Sequence, residues 1–221
     1  MNRLYYFPVP GRAEASRIAL SLSGMVWEDI EVNGIEYNKM KESGNLPWNM
    51  LPVLETEKGT IAESSAILRY VGNKAGLVPN DSFQAAKADE FIDGMGPMAY
   101  AMDSTFGFDD VEKRIQNRKE LFKPDGRATK ALTLYDEKIG LSKSGWVADT
   151  ENMSIADVKF FSEVFGLFSG NYDGIEKSMI MGYKNLLSYH DKMANDSRIL
   201  AHYEGTKKDN IRWTYLPGAF R

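Results

Sequence analysis

One stretch constrains the fold more than any other, residues 45–70, which read NLPWNMLPVLETEKGTIAESSAILRY. Pro52 precedes an apolar pair at 53–54. Because proline has no N–H for a sheet ladder, it belongs at the first residue of a strand or at a special turn. The polar residues that follow, with Gly59 where φ must be positive, predict a hairpin and a second short strand. Apolar residues at helical spacing then predict a helix that begins at Ser64.

The same stretch has the groups to bind a ligand with a peptide backbone and an amino-acid head. Leu51 offers a backbone N–H and C=O at a strand end, where an extended peptide can pair. Ser64 stands at a helix N-terminus, where unpaired N–H groups favour a carboxylate, and Glu63 beside it can hold an ammonium. The alternative is a plain hairpin followed by an ordinarily capped helix. Taken alone, the stretch favours that alternative.

The composition argues against several classes of protein. The 221 residues carry a net charge of −4 and no long basic run, which argues against a nucleic-acid partner. Cysteine is absent, so disulfides, thiolate metal sites and redox CxxC motifs are excluded. With His190 and His202 as its two histidines, the chain is a poor candidate for a histidine-based metal site or catalytic triad. It has no apolar segment long enough to span a membrane and no N-terminus resembling a signal peptide, so we expect no membrane partner and a cytoplasmic location.

Residues 1–76 predict a small α/β domain. Strands at 3–7 and 26–32 flank a helix at 12–23, and such a strand–helix–strand unit requires a parallel, right-handed crossover. Residues 33–44 are polar and predict no more than a single helical turn. The hairpin and the helix described above complete the domain.

Residues 77–221 show helical patterns without a convincing strand, so they predict an all-helical domain. A break is expected in the first of these helices near Pro97. Ser154 and Asp157 have the spacing of a capping box at the start of a later helix. The other predicted helices span 109–122, 125–139, 175–181 and 183–194. The aromatic tail is expected to pack back on the body through three anchors, Trp213, Tyr215 and Phe220.

Four motifs, in this order along the chain, resemble those of the cytosolic glutathione transferases (glutathione S-transferases): LYYFPVPGRAEASRI, LPWNMLPVLE, ESSAILRY and MSIADVKFF. The resemblance covers nearly the whole chain and is greatest to the tyrosine-dependent, sigma-like classes. It implies a thioredoxin-like α/β N-terminal domain, residues 1–76, that binds glutathione. It also implies an all-α C-terminal domain, residues 77–221, that contributes the electrophile site.

The resemblance further implies which residue activates glutathione. The catalytic tyrosine falls on Tyr6, and its competitor Tyr5 lies on the opposite face by strand alternation. The nucleophile is the sulfur of glutathione, which acts as co-substrate, and no metal is expected. A free thiol has a pKa of about 8.5, and a phenolic O–H that donates to sulfur lowers that pKa by favouring the thiolate. Arg12 is expected to add positive potential, the alternative being a salt bridge or a solvated side chain.

The other contacts carry over from the resemblance residue by residue. The expected glutathione-binding residues are Tyr6, Tyr37, Lys41, Met50, Leu51, Pro52, Glu63 and Ser64. Among them Pro52 is the expected cis-proline that presents Leu51, and Met50 stands where a hydrogen-bonding residue is more usual. The expected electrophile site comprises Val9, Met98, Met102, Phe106 and Trp213. Methionine and aromatic residues at such spacings are more often plain core.

The resemblance implies a homodimeric enzyme in which the glutathione thiolate attacks small apolar electrophiles in detoxification. Trp48 is the expected dimer contact. Pro97 departs from the pattern, because sigma-like members place an acidic residue there. The sequence leaves two alternatives open. One is a glutathione-dependent isomerase, similar to prostaglandin D synthase, or a peroxidase; the other is a ligand-binding or structural protein that keeps the fold without turnover.

Overall fold

A single four-stranded mixed sheet forms the first part of the molecule in a computed structural model that describes residues 1–107 and 110–221. Its strands are β1 (Asn2–Tyr6), β2 (Trp27–Glu31), β3 (Val53–Thr56) and β4 (Gly59–Ala62), in the order β2-β1-β3-β4. β1 and β2 run parallel, as the predicted crossover requires, whereas β3 is antiparallel to both β1 and β4.

Three helices accompany the sheet: α1 (Glu14–Leu22), α2 (Gly34–Glu42) and α3 (Ser64–Lys74). A short 3-10 helix, Gly11–Ala13, precedes α1. The prediction of a single helical turn after β2 is wrong, because α2 is a full helix. Asn33 explains the difference: its side chain accepts hydrogen bonds from the N–H groups of Ile35 and Glu36, and the Glu36 carboxylate accepts from the Asn33 N–H. This capping box stabilises a helix whose apolar pattern is too weak to predict it.

The rest of the described chain is helical, and among the described residues no strand follows β4. The helices are α4 (Ser82–Gly94), α5 (Gly96–Asp103), α6 (Val111–Leu121), α7 (Arg127–Leu141), α8 (Ile155–Gly166), α9 (Lys184–Ala194) and α10 (Ser197–His202). A thioredoxin-like sheet unit followed by a helical part confirms the predicted fold class. The domain boundary after residue 76 stays a prediction.

Two details of the helical part differ from expectation. The segment predicted as a helix at 175–181 forms only a 3-10 helix, Lys177–Ile180. The short α10 was not predicted, although Asp196 caps it by accepting from the Arg198 N–H. The predicted helix at 109–122 corresponds to α6, but its first residue, Asp109, lies outside the described residues. In the described ranges, no helix is long and apolar enough to cross a membrane.

Helix α8 forms the centre of the helical part and packs against α1 and α4. The expected capping box is present at its start: the Asp157 carboxylate accepts from the N–H and the hydroxyl of Ser154, at 2.8 and 2.9 Å. The same carboxylate also accepts from the Val147 N–H at 2.9 Å. Because Asp157 is completely buried, these bonds satisfy groups that would otherwise be unpaired and fix the direction of α8.

The aromatic tail packs on the body, as predicted. The Tyr215 hydroxyl donates to the Ser162 carbonyl at 2.8 Å, and the Trp213 indole N–H donates to the Ser169 carbonyl at 2.9 Å. Phe220 is buried against Phe165. The tail thereby covers one side of α8 and of the segment that follows it.

Candidate active site

Two neighbouring cavities lie where the end of β1 faces α5 and α8. The first has a volume of about 170 Å³, and the second about 320 Å³. Both are lined by Arg12, Met95, Ala99 and Glu163, so they adjoin along these four residues. The first cavity also contains the Tyr6 side chain, and the second contains the start of α3.

Tyr6, the predicted catalytic residue, lies in the wall of the first cavity with only 8% of its surface exposed. Its hydroxyl oxygen accepts the Arg12 backbone N–H at 3.1 Å. Burial is the main cause that raises the pKa of Tyr6, and the Arg12 N–H and the charges of Arg12 and Arg17 only partly oppose it. The phenol is therefore protonated at neutral pH, and its O–H is available to donate to a ligand atom.

Gly11 permits this arrangement. Its φ is +44°, and a Cβ built there would lie 2.6 Å from the Tyr6 hydroxyl oxygen. No side chain fits at that distance, and the left-handed backbone favours glycine in any case. The backbone at Gly11 and Arg12 can therefore approach the phenol closely.

Tyr5 lies in a different environment. Its hydroxyl donates to the Glu55 carboxylate at 2.8 Å across the exposed β1–β3 pair. Among the described residues that line the two cavities, Tyr6 is present and Tyr5 is not. Strand alternation thus separates the two tyrosines as expected.

The Arg12 side chain forms an ion pair with Asp103 at the end of α5. Both side chains are half-exposed and both line the first cavity. The salt bridge that the sequence allowed as an alternative role for Arg12 therefore exists, and it lies inside the cavity. The guanidinium carries positive charge within the same wall as the Tyr6 hydroxyl, so the two roles are compatible.

Arg17 supports the loop between Tyr6 and Arg12, and sequence reasoning missed it. Its guanidinium donates to the carbonyls of Val9 and Pro10, at 2.9 and 3.1 Å, and lies 5.7 Å from the centre of the Tyr6 ring. Glu14 and Asp29 hold the same guanidinium from the other side. The Glu–Arg spacing of three residues in GRAEASR was the available signal, but it does not reveal the carbonyl contacts.

The Leu51–Pro52 peptide bond is cis, as expected. Leu51 is buried and lies two residues before Val53, which is the register partner of Tyr5, the neighbour of Tyr6. Among the described residues, no backbone hydrogen bond to Leu51 is present. Its N–H and C=O are therefore free to pair with an extended ligand beside Tyr6.

Glu63 and Ser64 lie in the second cavity at the start of α3, together with Ser65. Glu63 adopts a left-handed conformation with φ of 71°, which is unusual for a residue other than glycine. Strain of this kind is often found at ligand sites. The conformation occurs where the chain turns from β4 into α3, and the exposed Glu63 lines the same cavity as Ser64 and Ser65 of the first turn of α3.

The remaining expected glutathione contacts lie on the other side of Tyr6. The Tyr37 hydroxyl donates to the Asn49 carbonyl at 2.9 Å, and its ring contacts the Phe7 ring, which in turn contacts Tyr6. The Lys41 ammonium lies 5.5 Å from the centre of the Tyr37 ring. Met50 is half-exposed next to Leu51. These residues continue the line of expected contacts from Tyr6 toward α2.

The expected electrophile residues divide into two groups. Met98, Met102 and Phe106 line the first cavity. Among the described residues of that lining, Val9 and Trp213 do not occur. Val9 contributes its carbonyl to Arg17, and the Trp213 ring packs on Phe220 at 5.9 Å. Trp48, the expected dimer contact, is 68% exposed in the loop before Pro52.

Several polar residues of the first cavity were missed from the sequence. Glu163 and Asn171 project from α8 and the loop that follows it, and Tyr172 packs against the Phe106 ring at 6.2 Å. Their contribution depends on the packing of α8 against the end of β1. The only sequence signal for Glu163 was its spacing of four residues from Lys159, which is typical of any helical ion pair.

Residues 2–73 match the family model for the glutathione S-transferase N-terminal domain. Over nearly its whole length, the chain is also 26% identical to a glutathione S-transferase of Plasmodium falciparum (isolate 3D7), with 94% of this chain and 97% of that protein covered. The first part of the chain thus matches a glutathione S-transferase N-terminal domain, and the relative that matches nearly the whole chain is a glutathione S-transferase. The family match spans β1 to α3 and so includes every expected glutathione contact.

Two further similarities are to prostaglandin D synthases. A hematopoietic prostaglandin D synthase of Gallus gallus is 33% identical over 91 residues, which are 41% of this chain and 45% of that protein. The solved structure of prostaglandin synthase D of Nilaparvata lugens superposes with a TM-score of 0.79 at 23% identity, covering 94% of this chain and 98% of that one. The second similarity supports the fold alone.

Proposed function

We propose that this protein is a glutathione S-transferase that binds glutathione and catalyses the attack of its thiolate on small apolar electrophiles. The observation that carries the proposal is the Tyr6 hydroxyl, which accepts the Arg12 N–H and belongs to a residue that lines the first cavity. Because that oxygen already accepts a hydrogen bond, its O–H is left to donate to the sulfur.

The chemistry requires only stabilisation of the thiolate. A free thiol with a pKa of about 8.5 is only a few per cent ionised at neutral pH. A hydrogen bond from Tyr6 to the sulfur favours the charged form. Each unit by which the thiol pKa falls corresponds to about 1.4 kcal/mol of differential stabilisation. Arg12, whose guanidinium lines the same cavity, adds positive potential.

Glutathione would then extend along the groups already described. The free backbone N–H and C=O of Leu51 would pair with its cysteinyl residue, while Glu63 and Ser64 would hold the γ-glutamyl head. Tyr37, Lys41 and Met50 would lie toward the glycine end. The electrophile would occupy the first cavity against Met98, Met102 and Phe106, where flexible methionines suit varied apolar substrates.

The proposal also includes a homodimer with Trp48 at the contact, a role in detoxification and a cytoplasmic location. The tyrosine-type, sigma-like class belongs to it as well. The 68% exposure of Trp48 in the loop before Pro52 supports the dimer, since large exposed aromatic residues are typical of interfaces.

A glutathione-dependent isomerase is the second candidate. The similarity to the Gallus gallus prostaglandin D synthase over 91 residues favours it. Both reactions would use the same thiolate and would differ in what the first cavity accepts.

The test is the rate of glutathione conjugation to chlorodinitrobenzene by the protein and by Tyr6→Phe. The substitution removes one hydroxyl and little volume, so we expect the rate to fall roughly 10- to 100-fold, the value of one hydrogen bond to a charged group. Glutathione affinity, measured by calorimetry, should be retained. Equal conjugation rates in the two proteins would contradict the role of Tyr6. If the unaltered protein does not bind glutathione, the proposal as a whole is contradicted.

A further inference from the structure

An acidic side chain lies in the wall of the first cavity on the surface of α8. Glu163 is largely buried, with 18% of its side chain exposed, and it forms an ion pair with Lys159 one turn earlier, whose side chain is 9% exposed. A cavity suited only to apolar substrates would not require a carboxylate there. Burying a charge is costly unless it is paired, and the Lys159 ammonium provides that partner.

The two members of the pair are placed asymmetrically. Glu163 lines both cavities, whereas Lys159 lines the second but not the first among their described lining residues. The charged residues described in the lining of the first cavity are Arg12, Asp103 and Glu163. Arg12 and Asp103 are paired with each other inside this lining, whereas Lys159, the partner of Glu163, lies outside it. The Glu163 carboxylate therefore presents its negative charge to the first cavity without its cationic partner in the same described lining.

The potential of Glu163 reaches the aromatic side of the same cavity. Burial is the main cause that raises the pKa of Tyr172 to about 12, and the negative charge of Glu163 contributes to the rise. It also opposes ionisation of Tyr6. Both tyrosines line the first cavity. An anionic substrate in the first cavity would be repelled by the Glu163 carboxylate. Once glutathione is bound, its thiolate would repel the substrate as well.

We propose that the first cavity accepts uncharged and cationic electrophiles and rejects those that carry a carboxylate, and that Glu163 determines this selection. The inference rests on the proposed function, whose substrate class it narrows. Like charges a few ångströms apart in a partly buried site repel one another far more than in water. Among matched substrates that differ only in charge, we therefore expect a preference of roughly 10-fold or more against the anion. Lys159 opposes this preference by neutralising part of the carboxylate charge.

The experiment compares chlorodinitrobenzamide with chlorodinitrobenzoate, which share one reacting centre and differ in a carboxylate. The kcat/KM for each is divided by its uncatalysed rate with glutathione, which removes the difference in intrinsic reactivity. We expect the unaltered protein to favour the amide roughly 10-fold or more. Glu163→Gln should reduce this ratio toward 1, and Lys159→Gln should increase it. Glu137→Gln, on the exposed surface of α7, is the matched control and should leave the ratio unchanged.

Opposite shifts in the two variants would support the proposal, because a general loss of packing would move both ratios in the same direction. Equal normalised kcat/KM values for the two probes in the unaltered protein would overturn it, even if neither variant folds. Failure of the proposed function itself would appear differently, as no turnover of either probe. In that case the two preformed glutathione conjugates are compared by their affinities for the protein, measured by calorimetry. Equal affinities would overturn the proposed selection against carboxylates, and weaker binding of the carboxylate conjugate would support it.

Discussion

At the scale of single residues, the site depends on a close approach between backbone and phenol. The Tyr6 hydroxyl lies against the chain at Gly11 and Arg12, and the left-handed φ of Gly11 makes this possible. That Tyr6 and not Tyr5 lines the cavity could be predicted from the sequence, because the motif resembles that of a known family and strand alternation separates the two tyrosines. The catalytic role of Tyr6 stays a prediction. Arg17 and Glu163 could not be predicted, since their contacts depend on how α1 and α8 pack around the loop.

Replacing Gly11 by alanine tests this approach. The new Cβ would lie 2.6 Å from the Tyr6 hydroxyl oxygen and displace it, so we expect a fall in conjugation rate of roughly 10-fold or more, the value of a charged hydrogen bond. The left-handed backbone should also cost about 1–2 kcal/mol of stability. The control is Gly182→Ala, where a Cβ meets nothing within 4 Å. An unchanged conjugation rate for Gly11→Ala would show that catalysis does not depend on the position of the Tyr6 phenol.

At the scale of elements, hydrophobic periodicity predicted the strands and most of the long helices. It failed at α2, whose residues are largely exposed and whose formation depends on the Asn33 capping box. It also overestimated the segment around Lys177–Ile180, which is only a 3-10 helix. Local capping interactions thus decide the elements that lack a strong apolar face.

Replacing Asn33 by alanine should destabilise α2. The side chain accepts two N–H groups, so its loss is expected to cost about 1 kcal/mol. Because α2 carries Tyr37 and Lys41, the KM for glutathione should rise while kcat stays nearly constant. Asp196→Ala, which removes the cap of the distant α10, should destabilise the protein similarly without changing KM. The same KM in both variants would exclude a role of α2 in glutathione binding.

At the scale of the whole molecule, buried polar groups join the tail to the sheet unit. The completely buried Glu14 carboxylate accepts from the Tyr203 hydroxyl at 3.0 Å, from Arg212 at 2.9 Å and from Arg17 at 3.2 Å. The sequence predicted that the tail packs on the body, because its aromatic residues are too many for a linker. It could not predict this carboxylate as an attachment point, since the partners are almost 200 residues apart.

The buried His190 should make the stability depend on pH. Its Nε2–H donates to the Thr214 carbonyl at 2.7 Å, and burial lowers the pKa of His190 from its ordinary value of 6.5 to about 4. Between pH 6.5 and pH 4, His190 therefore binds a proton in the unfolded chain but not in the folded protein. The free energy of unfolding is consequently expected to fall by roughly 3 kcal/mol as the pH drops from about 6.5 to about 4. Denaturant titrations of the protein and of His190→Phe measure this loss. At neutral pH, His190→Phe should have a lower free energy of unfolding than the unaltered protein, and it should lose less of that free energy as the pH falls. Equal losses in the two proteins would contradict this role of His190.

The most direct test of the central claim is the pKa of the glutathione thiol in its complex with the protein. It is measured from the ultraviolet absorbance of the thiolate as a function of pH, for the unaltered protein and for Tyr6→Phe. We expect a pKa below the free value of about 8.5 in the first complex, and a value higher by about 1 to 2 in the second, as the loss of one charged hydrogen bond implies. The same thiol pKa in both complexes, with glutathione bound in each, would contradict the assignment of Tyr6 as the residue that stabilises the thiolate.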